Sequence, residues 1–433
     1  MMAKPEHIER LGSGLTLIHR HMPDTDSVTV QISFGAGGRY EDLSTEYGVS
    51  HFLEHLLFKG SQKYPTAKII SEKIDGVGGY MNAYTTEEMT SYYIKVPQQH
   101  FELALDVLAD ITLHPLFDPT EIDRERGVIL EEMNVYLDDP GQHVFDLVGG
   151  LLWPEDPLRT NVIGTAEIIR HLPREVIAGY HAALYTLDNA IVSVAGNVPL
   201  ARVEQAIEAG FSSATPARAR QAVPTRGPLS QRRTHVYSQE TNQSHLVLSG
   251  RAIPLRHPDE PAFRVLTSLL GSGMSSRLFM SVREEKGLAY TIFMRASGYT
   301  DAGKWEIYGG INNDNLERAL DAIMQELRLV RAEEVDESEL AKVKEQLKGR
   351  IIMSQETNGA VADRLGSEYL LTGEIRPIEQ ILDDIDAVTT RDLLSVAQRY
   401  LDPTSMRLAM ISPVDAKRLV DIEHILYTKS EGE

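Results

Sequence analysis

Residues 89–111 read MTSYYIKVPQQHFELALDVLADI. MTSYYIKVP has the alternation and β-branched, aromatic content of a strand, and FELALDVLADI has the period of an amphipathic helix. A second helical stretch, EIDRERGVILEEM, follows at 121–133. The same succession returns in the second half as KWEIYGGIN (304–312), LERALDAIMQEL (316–327) and ELAKVKEQLKGRI (339–351). The triplet Ala-Leu-Asp at 104–106 recurs at 319–321. Strand-like NAIVSVAGNV starts at 189 and SMRLAMISPV at 405, a spacing of 405 − 189 = 216 residues. Further alternating segments (LTLIHR, VTVQISFG, HVYSQ, SHLVLSG) are interleaved with long amphipathic helices. The pattern predicts an α+β fold made twice: two similar domains, each an antiparallel sheet with helices packed on one face. Between the repeats lies a Pro-, Ala-, Ser- and Arg-rich stretch with little apolar period, which reads as an exposed linker. The expected division is 1–211, linker 212–232, and 233–433.

A chain of 433 residues exceeds what one core supports, in keeping with two domains. The N-terminus MMAKPEHIERLGSG has no apolar run typical of a secretory signal, and no stretch reads as membrane-spanning. There is no cysteine, which rules out disulfides and Cys-type structural zinc and fits a reducing, cytoplasmic setting. A net charge of −20 argues against nucleic acid as the main partner.

Residues 50–60, SHFLEHLLFKG, form the most informative short stretch. On a helical wheel Val49, Phe52, Leu53, Leu56 and Leu57 make an apolar stripe, and His51, Glu54 and His55 share the opposite face. Ser50 is the expected cap of the helix start. Two imidazoles at i and i+4 on one face grip a metal ion, with a carboxylate beside them. The second-half counterpart, AFRVLTSLLGSG, contains no histidine, so only the first half offers this site.

A hydrolytic zinc ion takes three protein ligands and keeps one position for water. The third ligand is expected downstream, on the helix within PTEIDRERGVILEEMNVYLDDPG, with Thr120 as its cap and Pro140-Gly141 as its end. Glu125 and Glu132 lie on its apolar stripe with Ile122, Ile129, Met133 and Tyr136. Inward carboxylates are unfavourable unless paired or coordinated. Glu132 is therefore the candidate ligand, Glu125 the candidate partner that orients a ligating histidine, and Glu131 a solvated charge.

H-x-x-E-H at 51–55 and E-x6-E at 125–132, with 132 − 55 = 77 positions from His55 to Glu132, resemble the inverzincin (pitrilysin-type) zinc peptidases. Chain size and duplicated halves look most like the β-subunit of mitochondrial processing peptidase and its bacterial relatives. GGYMNAYTTEEMTSYY at 78–93 is similar to the family's edge-strand segment, where Asn82 and Ala83 would meet the substrate backbone. GSGMSSRLFMSVREEKGLAY at 271–290 is similar to its second-half signature, where Arg283 and Tyr290 match a substrate-binding pair. The resemblance implies a zinc endopeptidase acting on flexible peptides, with one Zn2+ per chain and Glu54 as general base. It also implies a clamshell homodimer whose sites are completed across subunits, or a heterodimer with an inert sister chain. The competing expectation is a non-catalytic assembly subunit that retains the motif.

Overall fold

The computed structural model describes residues 6–159, 161–211, 222–225 and 227–427. The first half runs β1 (His7–Arg10), β2 (Thr16–His21), β3 (Ser27–Phe34), α1 (Val49–Leu56), α2 (Ala67–Asp75), β4 (Tyr80–Thr85), β5 (Thr90–Pro97), α3 (Phe101–Leu113), α4 (Pro119–Leu137), α5 (Pro140–Leu152), α6 (Ala166–His171), α7 (Arg174–Leu184), β6 (Ala190–Gly196) and α8 (Leu200–Phe211). The second runs β7 (Thr234–Tyr237), β8 (Gln243–Ala252), α9 (Glu260–Gly271), β9 (Ala289–Gly298), β10 (Gly303–Asn312), α10 (Leu316–Ala332), α11 (Glu337–Met353), α12 (Asn358–Thr372), α13 (Ile378–Ala387), α14 (Thr390–Tyr400), β11 (Arg407–Ile411) and α15 (Ala416–Tyr427).

The duplication is visible in strand order. One sheet is β1-β2-β6-β3-β5-β4 and the other β7-β11-β8-β10-β9. Apart from β1, each strand has a counterpart at the same place in the other sheet. The sheets are mixed rather than wholly antiparallel, because β2–β6 and β7–β11 pair in parallel. A parallel pair needs a long crossover, and here each crossover is nearly a whole domain of intervening chain.

The chain forms two compact units that are discontinuous in sequence. The first comprises Met1–Asn134, Asn161–Val223 and Met353–Ile375; the second comprises Val135–Thr160, Pro224–Ile352 and Arg376–Glu433. One boundary between these units, Val223 to Pro224, falls within the stretch 212–232. Residues 212–221 and 226 of the expected linker lie outside the described residues. Val223 itself is tied down: its N–H donates to Arg39 O at 3.1 Å, and Arg39 Nη2 donates to Val223 O at 2.9 Å.

Packing explains the discontinuity and corrects the expectation of helices on one face only. In the first unit Val28, Val30, Ile32 and Phe34 of β3 face a core closed by helices that include α1 and α3. The alternate β3 residues Thr29, Gln31 and Ser33 are polar, a pattern that suggests a wet face, yet they are buried. Helix α12, from the second half of the sequence, covers them. Thr29 Oγ1 donates to Asn358 Oδ1 at 3.3 Å, Gln31 Nε2 to Asp363 Oδ1 at 3.1 Å, and Ser193 Oγ to Ala362 O at 2.8 Å. Ile18, Ile191 and Ala195 pack on Val361, Ala362 and Leu365 between these bonds. In the second unit α5, from the first half, does the same: Val144 and Val148 pack on Val247, Ala409 and Ile411. Among the described residues no helix is long and apolar enough to cross a membrane.

Leu365 is fully buried under this arrangement. Leu365→Ala is expected to lower the unfolding free energy of the first unit by about 2–5 kcal/mol, read from urea transitions. A change within about 0.5 kcal/mol would mark α12 as an ordinary surface helix.

Candidate metal centre and substrate edge

Helix α1 starts at Val49, and Val49, Phe52, Leu53, Leu56 and Leu57 are all buried in the first unit's core. The expected cap, Ser50, is not the cap. Gly48 occupies that place in a left-handed conformation, φ 93°, with no side-chain cap bond of its own. A Cβ there would lie 2.7 Å from Ile163 O and 2.8 Å from the Cα of Gly164, so the chain can pass only as glycine. The first turn is held instead by Glu41, which is 2% exposed. Its carboxylate accepts from Gly48 N and Ser50 N, both at 2.8 Å, and from the Ser50 hydroxyl. Burial pushes the Glu41 carboxyl up to about 7, against the pull of those donors.

Helix α4 supplies the opposing face. Asp118, not Thr120, satisfies its first turn, accepting from Thr120 N at 2.8 Å and Glu121 N at 3.3 Å. Pro140 does not merely end it: Pro140 is the first residue of α5, capped by Asp139. Ile122, Ile129 and Met133 are buried, whereas Glu131 is exposed. Arg126 fixes the helix by donating to the carbonyls of Ile169 and Leu172.

His51, His55 and Glu132 converge, with one ligand atom from each within 4.8 Å of the others. His51 Nε2 is 3.7 Å from Glu132 Oε1 and His55 Nε2 is 3.5 Å from Glu132 Oε2. Tetrahedral bonds of about 2.0–2.1 Å put neighbouring ligand atoms about 3.3 Å apart, so a zinc-sized cation fits among these atoms with small adjustment. The donor set, two imidazoles and a carboxylate, suits zinc. Burial and the neighbouring His55 lower His51 to about 4, keeping its ring in the neutral form that a metal requires. Glu132 is less enclosed than its place on the apolar stripe suggests, with 46% of its side chain exposed.

Glu125, 3% exposed, lies behind His55: its Oε2 is 3.3 Å from His55 Nδ1 and its Oε1 is 2.7 Å from Lys59 Nζ. A carboxylate at Nδ1 favours the tautomer that leaves Nε2 bare toward Glu132. Glu54 stands on the same helix face, with its Oε2 accepting from Thr85 Oγ1 at 2.6 Å. Burial, ahead of the Thr85 and His55 effects, holds its carboxyl above the ordinary range. Sequence reasoning missed Glu41, Lys59 and Thr85. None matches a metal-ligand spacing, and their partners lie 9, 66 and 31 positions away along the chain.

Strand β4 is an edge of its sheet. Asn82 is exposed there, donating from Nδ2 to Tyr80 Oη at 3.0 Å and accepting from Ala83 N at 2.9 Å; Ala83 is buried. In the second unit Arg283 sits on a π-helical turn, Phe279–Glu285, and Tyr290 on β9. Arg283 lies over the Phe279 ring at 4.6 Å and near the Tyr290 ring at 5.8 Å, and Tyr290 is 72% exposed.

Comparison with known proteins gives consistent matches. Residues 16–166 match insulinase (peptidase family M16), and residues 171–347 match the peptidase M16 inactive domain. An uncharacterized zinc protease of Bacillus subtilis is 34% identical over 401 residues, covering 93% of this chain and 97% of the relative. One from Streptomyces coelicolor is 33% identical over 415 residues, covering 94% and 90%. A protease structure from Helicobacter pylori shares the fold with a TM-score of 0.88 at 23% identity, over 94% of this chain and 99% of that one. A peptidase M16 inactive domain from Pseudomonas fluorescens does so at 0.86 and 17%, over 95% and 99%.

The buried Glu41 carboxyl carries a stability signature. Its folded-state value of about 7 lies above the ordinary 4.5, so the folded chain keeps a proton that the unfolded chain has lost. Stability from this group is therefore greatest below about 4.5 and falls as pH rises toward 7. The loss relative to Glu41→Gln is expected to be about 3 kcal/mol across that window, measured as the difference between their unfolding free energies at each pH.

Proposed function

The chain belongs to the insulinase family of peptidases, M16, and on that premise we propose that it is a zinc-dependent endopeptidase cutting flexible or unfolded peptides. The observation that carries this reading is the convergence of His51, His55 and Glu132 around a cation-sized gap, with Glu54 beside them. The competing reading, an assembly subunit without activity, gains no support from a site whose every ligand position is filled.

His51, His55 and Glu132 hold the ion, and Glu125, ion-paired with Lys59, orients His55. When bound, zinc supplies Lewis-acid chemistry that acidifies a water and polarises the scissile carbonyl. Glu54 takes the proton of the attacking water and passes it to the departing nitrogen. The peptide adds as an extended strand along β4, where Asn82 and Ala83 meet its backbone. Main-chain pairing of this kind demands local flexibility in the substrate and little particular sequence. Arg283 holds a substrate carbonyl and Tyr290 donates to the developing oxyanion. In this reading two chains form a clamshell homodimer, and each contributes Arg283 and Tyr290 to the other's site.

Glu54→Gln is expected to lower turnover of a quenched peptide by at least about 100-fold while zinc, measured by elemental analysis, stays at one per chain. Glu132→Gln is expected to lose both. Retained cleavage by Glu54→Gln, or by chelated protein, would reject the mechanism.

Shared sites make a separate prediction. Glu54→Gln and Arg283→Ala homodimers should each be nearly inactive. Mixing them should restore activity, because a heterodimer regains one intact site. No recovery after verified subunit exchange would reject sharing across the dimer and leave a sister chain as the alternative.

A further inference from the structure

We propose that Thr85 is the positioning residue of Glu54, fixing which carboxylate oxygen is free to take the proton of the attacking water. The inference rests on the peptidase reading above and adds to it how the base is aimed.

The Glu54 side chain ends in a broad two-fold torsion, which leaves a carboxylate free to turn unless something grips it. Thr85 Oγ1 donates to Oε2 at 2.6 Å, and among the described residues Oε1 accepts no hydrogen bond from the protein. One oxygen is thus engaged and the other left available. The hydroxyl proton of Thr85 is committed to this bond. Thr90 Oγ1, 3.5 Å away, meets Thr85 Oγ1 only as a donor and makes its shorter bond to Ala36 O at 2.8 Å, so it does not compete for the Thr85 proton. Thr85 is itself well fixed: it is β-branched, closes β4 and pairs with Thr90 of β5 in the ladder. Thr90 is fully buried.

The placement has a second consequence. Ala83 and Thr85 are two apart on β4 and so share a face, and α1 packs against this strand. The strand proposed to receive the peptide backbone is therefore the strand that grips the base. A peptide docked on β4 and the free oxygen of Glu54 take their positions from one rigid element. That lowers the reorganisation needed to bring the water, the carbonyl and the base into line.

Thr85→Val keeps the shape and removes the donor, and Thr85→Ser keeps the donor. Steady-state cleavage of a quenched peptide and zinc content are measured for both, with Glu54→Gln as reference. For Thr85→Val, kcat is expected to fall by about 10- to 100-fold, with KM within about twofold and zinc unchanged at one per chain. Thr85→Ser is expected to recover kcat to within about threefold of the parent. The proposal is overturned if Thr85→Val turns over as fast as the parent, if Thr85→Ser is as slow as Thr85→Val, or if Thr85→Val loses its zinc. Undiminished cleavage by Glu54→Gln would instead overturn the peptidase reading itself.

Discussion

Eight residues are too few to hold a helix in water, so α1 keeps its shape only through what surrounds it. Its apolar stripe is sunk in the first unit's core, and its first turn hangs on the buried carboxylate of Glu41. The backbone crossing of Gly48 and Gly164 sets the angle at which the chain enters. At the far end, Lys59 and His55 both reach Glu125 on α4. The two imidazoles thus project from a short rod held at both ends, and the spacing of the metal centre follows from that restraint.

The second unit repeats the sheet but not the chemistry. It keeps the strand order and the crossover, and its edge strand β9 follows a π-helical turn instead of facing a histidine-bearing helix. A π turn re-aims side chains relative to an α-helix and is common at functional positions. Here it carries Arg283 against Phe279. Duplication supplied two frames of the same kind, and local sequence gave them different work.

Each sheet buries both of its faces, and the second face is closed by one helix from the opposite half of the chain. The hydrogen bonds from β3 and β6 to α12 make this covering specific: Thr29 and Gln31 of β3 and Ser193 of β6 each find a partner that a purely apolar contact would not require. Buried polar groups left unpaired would be costly, so the partners select one seating of α12 over others. The two units are consequently interleaved in sequence even though each is compact in space.

Much was legible in the sequence. The repeat of strand-like and helical segments gave the duplicated α+β fold, because periods of two and 3.6 are local properties of the chain. The i, i+4 spacing put His51 and His55 on one face of α1 for the same reason, and the seven-residue spacing of Glu125 and Glu132 put both on one side of α4. Other features were set by contacts between distant segments, which no local pattern records. Polar alternation in β3 looks the same whether water or α12 lies above it. Ser50 is an ordinary cap in one dimension and a donor to Glu41 in three. The grip of Thr85 on Glu54 joins residues whose spacing carries no period. Local periodicity determined which side chains could act together, and tertiary packing decided which atoms meet.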